Sequence, residues 1–190
     1  MIAILDACTL YPPSVRDLFM WLATARAYKP RWTETIHTEW IRSVLANRPD
    51  VTLEQLERTR LLMDQVDPES LVSGYERYIP DLTLPDADDR HVLAAAITVQ
   101  AMMIVTFNLS DFPASALAPY GVMAFHPDLF LCQLMDTEEE RVLTGVGRHR
   151  DSLRRPPKTV EEYLFTLQTN GLPRFVALLE AWKEVICGVT

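Results

Sequence analysis

Short continuous apolar runs alternate with helical periodicities along the first two thirds of the chain. Residues 2–5, 102–106 and 122–125 are runs of this kind, and each predicts a strand that is buried on both faces. Between them, apolar residues recur at intervals of three or four and predict helices, at residues 15–22, 33–45, from 52 onward and 88–100. Strands joined by helical crossovers indicate an α/β fold, with a parallel sheet flanked by helices.

After residue 125 the chain has helical patterns only. Three pairs have the spacing of a capping box at a helix start, namely Thr52 with Gln55, Thr137 with Glu140 and Thr159 with Glu162. Ser14 is the expected cap of the first helix, Pro127 and Pro173 are suited to open helices, and Gly171 is suited to end one. We therefore predict a core domain over residues 1–128 and a C-terminal all-helical extension over residues 129–190.

Composition and charge indicate the class of protein and the cellular environment that we expect. The 190 residues are 48% apolar and 23% charged, a balance that supports a folded core without disulfides. The three cysteines form no CxxC pair, so we expect no zinc site and a reducing, cytoplasmic environment. No apolar run approaches the ~20 residues of a membrane helix, and the first residues lack the basic start of a signal peptide. The net charge of −8 argues against nonspecific nucleic-acid binding, although bound cations would reverse the local sign.

Polar residues follow two of the predicted strands. Asp6 comes directly after the first strand, and Asn108 and Asp111 lie in the loop after residues 102–106. Ligands of open α/β sheets lie beyond the carboxyl ends of the strands, so we expect these side chains at one edge of the sheet. Each also has a structural explanation, in which Asp6 bonds its own turn and Asn108 and Asp111 cap the next short helix.

Three carboxylates crowd the start of one predicted helix. Asp86, Asp88 and Asp89 precede the apolar segment 92–97, where a single acid would satisfy the helix dipole and three repel one another. Arg90 or a divalent cation could compensate this charge. A metal site and pure capping are both compatible with the pattern.

A fourth acidic position, Glu39, lies within the predicted helix at 33–45. An ion pair with Arg42 is the alternative to metal binding, and His37 and His91 are expected to be structural. Together, the carboxylates at strand ends and on adjoining helices form a set of hard oxygen ligands. Such a set suits Mg²⁺ or Mn²⁺ rather than zinc.

These residues resemble the PIN-domain ribonucleases, and within them the VapC-type toxins of bacterial toxin–antitoxin pairs. The family pattern is a strand that ends in Asp, a helical Glu, an Asp that opens an alanine-rich helix, and a strand followed by a polar acidic loop. The matching segments are Ile4-Leu5-Asp6, Glu39-Trp40, Asp89-Arg90 with Ala94-Ala95-Ala96, and Thr106-Phe107-Asn108 with Asp111-Phe112. The resemblance covers residues 1 to about 126.

The resemblance implies an endoribonuclease that hydrolyses RNA phosphodiester bonds with Mg²⁺ or Mn²⁺. It assigns metal binding and catalysis to Asp6, Glu39, Asp89 and Asp111, with auxiliary roles for Asp86, Asn108, Thr106 and Thr9. Asn108 departs from the family, which often has Asp there, and the choice among Asp86, Asp88 and Asp89 stays open, with Asp89 preferred. The implied partners are RNA, a cognate antitoxin protein and a second copy of the chain, with no membrane.

Other functions fit part of the pattern. A PIN-like module that acts through RNA or protein binding would keep the fold without the chemistry, and Asn108 favours this reading. A housekeeping RNA-processing nuclease would carry the same residues. A phosphatase of the haloacid-dehalogenase type needs an acid where this chain has Cys8, and a dinucleotide-binding enzyme needs a GxGxxG motif that is absent.

A basic segment occupies residues 141–158 of this acidic chain. It contains five arginines and one lysine against a single acid, Asp151. We expect RNA contacts from Arg148, Arg150, Arg154 and Arg155, because clustered cations bind phosphates. The alternatives are a solvated helix face that pairs with the acids at 138–140, and a docking site for an acidic partner.

Overall fold

Four short parallel strands form the sheet of the computed structural model, which describes residues 1–154 and 156–187. The strands are β1 (Ile2–Leu5), β2 (Lys29–Arg31), β3 (Met103–Val105) and β4 (Met123–Phe125), in the spatial order β2-β1-β3-β4. Leu5 of β1 is in register with Val105 of β3, which in turn is in register with Phe125 of β4. These three strands therefore end at the same edge of the sheet. The α/β prediction, with its parallel sheet and helical C-terminal region, is confirmed.

Ten α-helices accompany these strands in the described part of the chain. They are α1 (Ala7–Leu10), α2 (Pro13–Thr24), α3 (Glu34–Asn47), α4 (Leu53–Asp64), α5 (Arg90–Thr98), α6 (Ala114–Leu117), α7 (Pro127–Ser152), α8 (Val160–Thr169), α9 (Pro173–Leu179) and α10 (Lys183–Cys187). Short 3₁₀ helices occupy Glu76–Asp81, Leu109–Asp111, Ala118–Tyr120 and Glu180–Trp182. None of these helices combines the length and the apolar character that a bilayer crossing requires.

The chain divides into two compact units. The sheet unit consists of Met1–Tyr11 and Lys29–His126, and the helical unit consists of Pro12–Tyr28 with the chain from Pro127 onward. Helix α2 thus groups with the C-terminal helices, although the sequence-based boundary at residue 128 leaves it in the first domain. That boundary remains a prediction.

Strand β2 is the element that the sequence pattern did not predict. Its residues, Lys29-Pro30-Arg31, have neither an apolar run nor the usual strand composition. Proline is tolerated here because β2 is an edge strand, where one side of the backbone needs no ladder partner. The buried guanidinium of Arg31 is held by Asp67 at 2.9 Å and by Glu69 at 2.7 Å.

The observed helix starts show which of the predicted capping residues do cap a helix. Thr52 and Thr159 each form the complete capping box that their spacing predicts. Ser14 was wrong as a cap, because Pro12 occupies the N-cap position and Pro13 opens α2. Thr137 was also wrong, since its hydroxyl donates to the carbonyl of Gln133 inside α7, although the helix does lose regular geometry at Glu138.

The core of the sheet unit forms around β1, β3 and α5. Helix α5 packs on both strands, and residues 92–96 of this helix are completely buried, as its continuous apolar sequence predicts. The alanines at 94–96 allow the helix to approach the sheet closely. Asp89, at the start of α5, is therefore anchored to the scaffold that carries the strand ends.

In the helical unit, His149 of α7 is buried and its Nδ1 lies 3.1 Å from the hydroxyl of Tyr163 on α8. Burial, with a smaller effect of the Lys158 charge, lowers the pKa of His149 from 6.5 to about 4. Between these values the unfolded chain binds a proton that the folded chain does not. The stability contributed by the neutral imidazole is therefore complete above pH 6.5 and is lost as the pH falls toward 4.

We expect His149→Gln to weaken the acid sensitivity of folding, because glutamine does not titrate. Urea denaturation between pH 7.5 and 4.5 should show a smaller loss of unfolding free energy in the variant, by at most about 3 kcal/mol. Tyr163→Phe is the control, since it removes only the hydroxyl beside the imidazole and keeps the burial that is the largest cause of the lowered pKa, so it should retain most of the wild-type pH dependence. Equal pH dependence in His149→Gln and the wild type would contradict this account.

Candidate metal centre

Asp6 is fixed at the end of β1 by three hydrogen bonds. Its Oδ2 accepts from the hydroxyl of Thr106 at 2.7 Å and from the thiol of Cys8 at 2.9 Å, and its Oδ1 accepts from the backbone N–H of Ala7 at 2.7 Å. A carboxylate offers about four acceptor positions. One position therefore remains for a ligand, and the Asp6 carboxylate, 5% exposed, is held in a single orientation.

Thr9 and Thr106 tie the ends of β1 and β3 together. The Thr9 hydroxyl donates to the carbonyl of Val105 at 2.9 Å, whereas the Thr106 hydroxyl reaches Asp6 and accepts the backbone N–H of Asn108 at 3.0 Å. Thr106 therefore orients a predicted ligand directly, while Thr9 acts on the strand end. Asn108 is exposed and enters this network through its backbone.

The thiol of Cys8 belongs to the site, although no sequence pattern indicated it. Burial, reinforced by the negative charge of Asp6, raises the pKa of Cys8 to about 12. The sulfur is therefore protonated and donates to Asp6, while it accepts the backbone N–H of Phe107 at 3.2 Å. Its position two residues after the strand-end acid was the only available signal, and that signal does not specify an interaction.

Asp89 lies where several negative charges meet. Burial, which is the largest cause, and the charges of Asp6, Asp111 and Asp86, in that order, together raise its pKa to about 6. Asp89 occupies the N-cap position of α5, yet its side chain forms no capping hydrogen bond. Its carboxylate is therefore not used for helix capping, and it is exposed to the charges of acids from distant parts of the chain.

The acids around Asp89 have little cationic compensation. Arg90 was expected to supply part of it, but its Nε donates to the carbonyl of Ala87 at 2.7 Å, and no ion pair involves it among residues 1–154 and 156–187. Asp86 accepts the backbone N–H of Asp88 at 2.9 Å, and Asp111 accepts the hydroxyl of Ser110 at 3.3 Å. These contacts are neutral and leave the repulsion in place.

Glu39 reaches the site through a histidine. Its Oε1 lies 3.0 Å from Nε2 of His91, which is two residues beyond Asp89. The alternative pair of Glu39 with Arg42 does not form. No sequence pattern predicts this contact, because its partners are separated by 52 residues.

The donor set fits a hard divalent cation that keeps part of its water shell. In the described part of the chain, no three Asp, Glu, His or Cys side chains are arranged so that they could hold a metal ion together. Magnesium is usually held by one or two carboxylates together with several waters, so a complete cage is not required. The raised pKa of Asp89 marks a position where a cation would relieve repulsion.

The predicted RNA-contacting arginines lie in the helical unit. Arg148 and Arg154 are exposed, while Arg150 binds Asp151 at 2.5 Å. Arg141 pairs with Glu138 at 2.7 Å, as the solvated-face alternative suggests. Arg155 lies outside the described residues.

Comparison with known proteins agrees with this architecture. A family model described as "PIN domain" matches residues 3–110, and one described as "VapC50 C-terminal domain" matches residues 127–181. The chain is 43% identical over 89 residues to "Putative ribonuclease VapC50" of Mycobacterium tuberculosis (strain ATCC 25618 / H37Rv). That alignment spans 47% of this chain and 52% of the relative, about half the length of each. No solved structure matches the chain at a significant level.

The family assignment rests on the extent of the match and on the site within it. The PIN-domain model covers more than half of the chain, including the strand-end Asp6, Glu39 of α3 and Asp89 at the start of α5. Asp6 and Asp89 interact electrostatically at the carboxyl edge of a four-stranded parallel sheet, and Glu39 contacts His91, two residues beyond Asp89. The chain belongs to the PIN-domain family.

Proposed function

We propose that the protein is a Mg²⁺- or Mn²⁺-dependent endoribonuclease and the toxin of a toxin–antitoxin pair. Burial and the charges of Asp6, Asp111 and Asp86 raise the pKa of Asp89 to about 6, and this grouping of acids from distant parts of the chain is the observation that carries the proposal. Perturbed carboxylates at a sheet edge are typical of catalytic sites and ion sites. The similarity to a protein named as a ribonuclease supports RNA as the substrate.

Asp6, Glu39, Asp89 and Asp111 are the proposed metal-holding residues, and Asp6 is the best ordered of them. When bound, the divalent ion would activate water and neutralise the charge that develops on the phosphodiester. Thr106 and Cys8 keep the Asp6 carboxylate in one orientation, so that its remaining acceptor position is available to the ion in a fixed direction. His91 holds Glu39 in the same way, through the bond at 3.0 Å.

The biological role follows from the VapC resemblance. Both parts of the chain resemble such proteins, since the sheet unit matches the PIN domain and the C-terminal helices match the domain named for VapC50. The proposed partners are RNA in the cytoplasm, a cognate antitoxin protein and a second copy of the chain. Asp86 and Asn108 remain auxiliary candidates at the rim of the site.

We expect Asp6→Asn to abolish cleavage of total RNA in Mg²⁺ or Mn²⁺, with a loss of at least about 100-fold. Changes to groups that merely support metal ligands already cost 10- to 100-fold. Gel analysis of the cleavage products, with and without EDTA, measures the effect. Asp50→Asn is the matched control, because it removes an exposed carboxylate that pairs with Arg48, and it should cleave like the wild type. Equal activity of Asp6→Asn and the wild type would remove the assignment.

Binding of the ion should also be visible without any reaction. We expect saturating Mg²⁺ to lower the pKa of Asp89 from about 6, because a cation favours the ionised carboxylate. Carboxyl-detected NMR titration of the full chain measures this change. Asp6→Asn should lower the pKa of Asp89 in the absence of metal, since it removes a repelling charge. An Asp89 titration that does not respond to Mg²⁺ would show that the ion binds elsewhere.

Induced expression separates a toxin from a housekeeping nuclease. We expect the wild-type chain to arrest bacterial growth and Asp6→Asn at equal protein level to permit it, because free toxin degrades essential RNA. Growth curves with immunoblot normalisation provide the measurement. Normal growth with a wild-type chain that cleaves RNA when purified would favour the housekeeping role.

A further inference from the structure

A cleft in the helical unit combines an aromatic ring with arginines. It is lined by Trp21 of α2, by Arg148, Asp151 and Ser152 of α7, and by Arg154 in the segment that follows, and we call it the Trp21 cleft. Its volume is about 600 Å³, within the usual range for sites that hold a small ligand. It contains none of the carboxylates of the proposed metal centre, so it is a separate feature of the molecule.

The charge of this cleft is positive, although it contains an acid. Asp151 is neutralised by Arg150, whose Nη2 lies 2.5 Å and whose Nε lies 3.2 Å from the same carboxylate oxygen. Arg148 and Arg154 are both exposed, and neither forms an ion pair within the described ranges 1–154 and 156–187. Two uncompensated guanidinium groups at one cleft favour an anionic ligand.

The indole of Trp21 is available for stacking. It is half-buried, and no hydrogen bond or ring contact engages it in the part of the chain that the structure describes. Its position is fixed by the close packing of α2 on α7. At Gly145 an added Cβ would lie 2.9 Å from Cδ2 and 3.1 Å from Cα of Leu22, so only glycine permits this approach. Trp21 is thereby held beside Arg148, one turn further along α7.

We propose that the Trp21 cleft binds a nucleotide of single-stranded RNA, with the base stacked on Trp21 and the flanking phosphates on Arg148 and Arg154. This inference rests on the proposed ribonuclease function and adds an RNA subsite that the carboxylates do not supply. A free aromatic face beside uncompensated arginines is the combination that single-stranded nucleic acids use. An acidic peptide would use the arginines but would leave the indole face without a partner.

Binding of a fluorescent single-stranded oligoribonucleotide to the full chain tests the proposal, in an Asp6→Asn background that prevents cleavage. We expect Trp21→Leu to weaken binding about 10-fold or more and Trp21→Phe to restore most of it, because stacking needs a π-face. Arg148→Gln should reduce the salt dependence of log K by about 0.7, the value for one single-strand phosphate contact. A blunt RNA duplex of equal length should show no dependence on residue 21, since its bases are already stacked.

Arg141→Gln is the matched control, because it removes an arginine of the same helix that is already paired with Glu138. It should leave the affinity and the salt dependence unchanged. Unchanged binding in both Trp21→Leu and Arg148→Gln would overturn the inference, as would displacement of the RNA by a glutamate-rich peptide with equal dependence on residue 21. Should Trp21→Leu fail to fold, the exposed Arg148→Gln decides the question, because an unchanged affinity and salt dependence in this variant would overturn the inference.

The two proposals fail in distinguishable ways. A wild-type chain that cleaves RNA, with no effect of Trp21 or Arg148 on binding, removes the subsite and leaves the nuclease. A chain that neither cleaves nor binds RNA removes both.

Discussion

Strands β1 and β3 run side by side and end together, with Leu5 in register with Val105. This parallel pairing is the constraint on which the site depends, because it places Asp6 and Thr106 next to each other although 100 residues separate them. The hydroxyl of Thr106 then bonds the Asp6 carboxylate at 2.7 Å, and the thiol of Cys8 completes its orientation. A sheet of the opposite strand polarity would place the two side chains at opposite edges and leave no ordered ligand.

Repulsion among carboxylates is the second constraint. The fold brings these groups close together, and their repulsion lowers the stability of the folded state. Helix α5 carries Asp89 to the sheet edge, where the charges of Asp6, Asp111 and Asp86 and partial burial raise its pKa to about 6. Arg90 turns to a backbone carbonyl and does not relieve this charge. The packing of α5 on β1 and β3 maintains the arrangement, since its buried alanine-rich face fits the sheet closely. A divalent cation bound at this cluster would offset the repulsion among the carboxylates and would thereby stabilise the folded chain.

In the helical unit, the close approach of α2 and α7 determines which side chains line the Trp21 cleft. Gly145 of α7 accommodates Leu22 of α2, and this contact positions Trp21 and Arg148 at the same cleft. Arg150 is paired with Asp151, whereas Arg148 and Arg154 stay uncompensated. Some arginines of the basic segment therefore form ion pairs within the unit, whereas others lie on a surface where an anion can bind.

The sequence by itself determined the parallel α/β architecture, the acids at the strand ends and helix starts, and two of the three capping boxes. These features are local, because an apolar run, a helical periodicity or a Thr-x-x-Glu or Thr-x-x-Gln pair carries its own signal within a few residues. Only the tertiary structure decided that Cys8 supports Asp6, that Glu39 pairs with His91 rather than Arg42, and that Lys29–Arg31 adds an edge strand. The two side-chain contacts depend on partners that are distant in the chain. The edge strand depends on packing that tolerates residues with a low strand preference. Neither kind of feature produces a periodic pattern in the sequence.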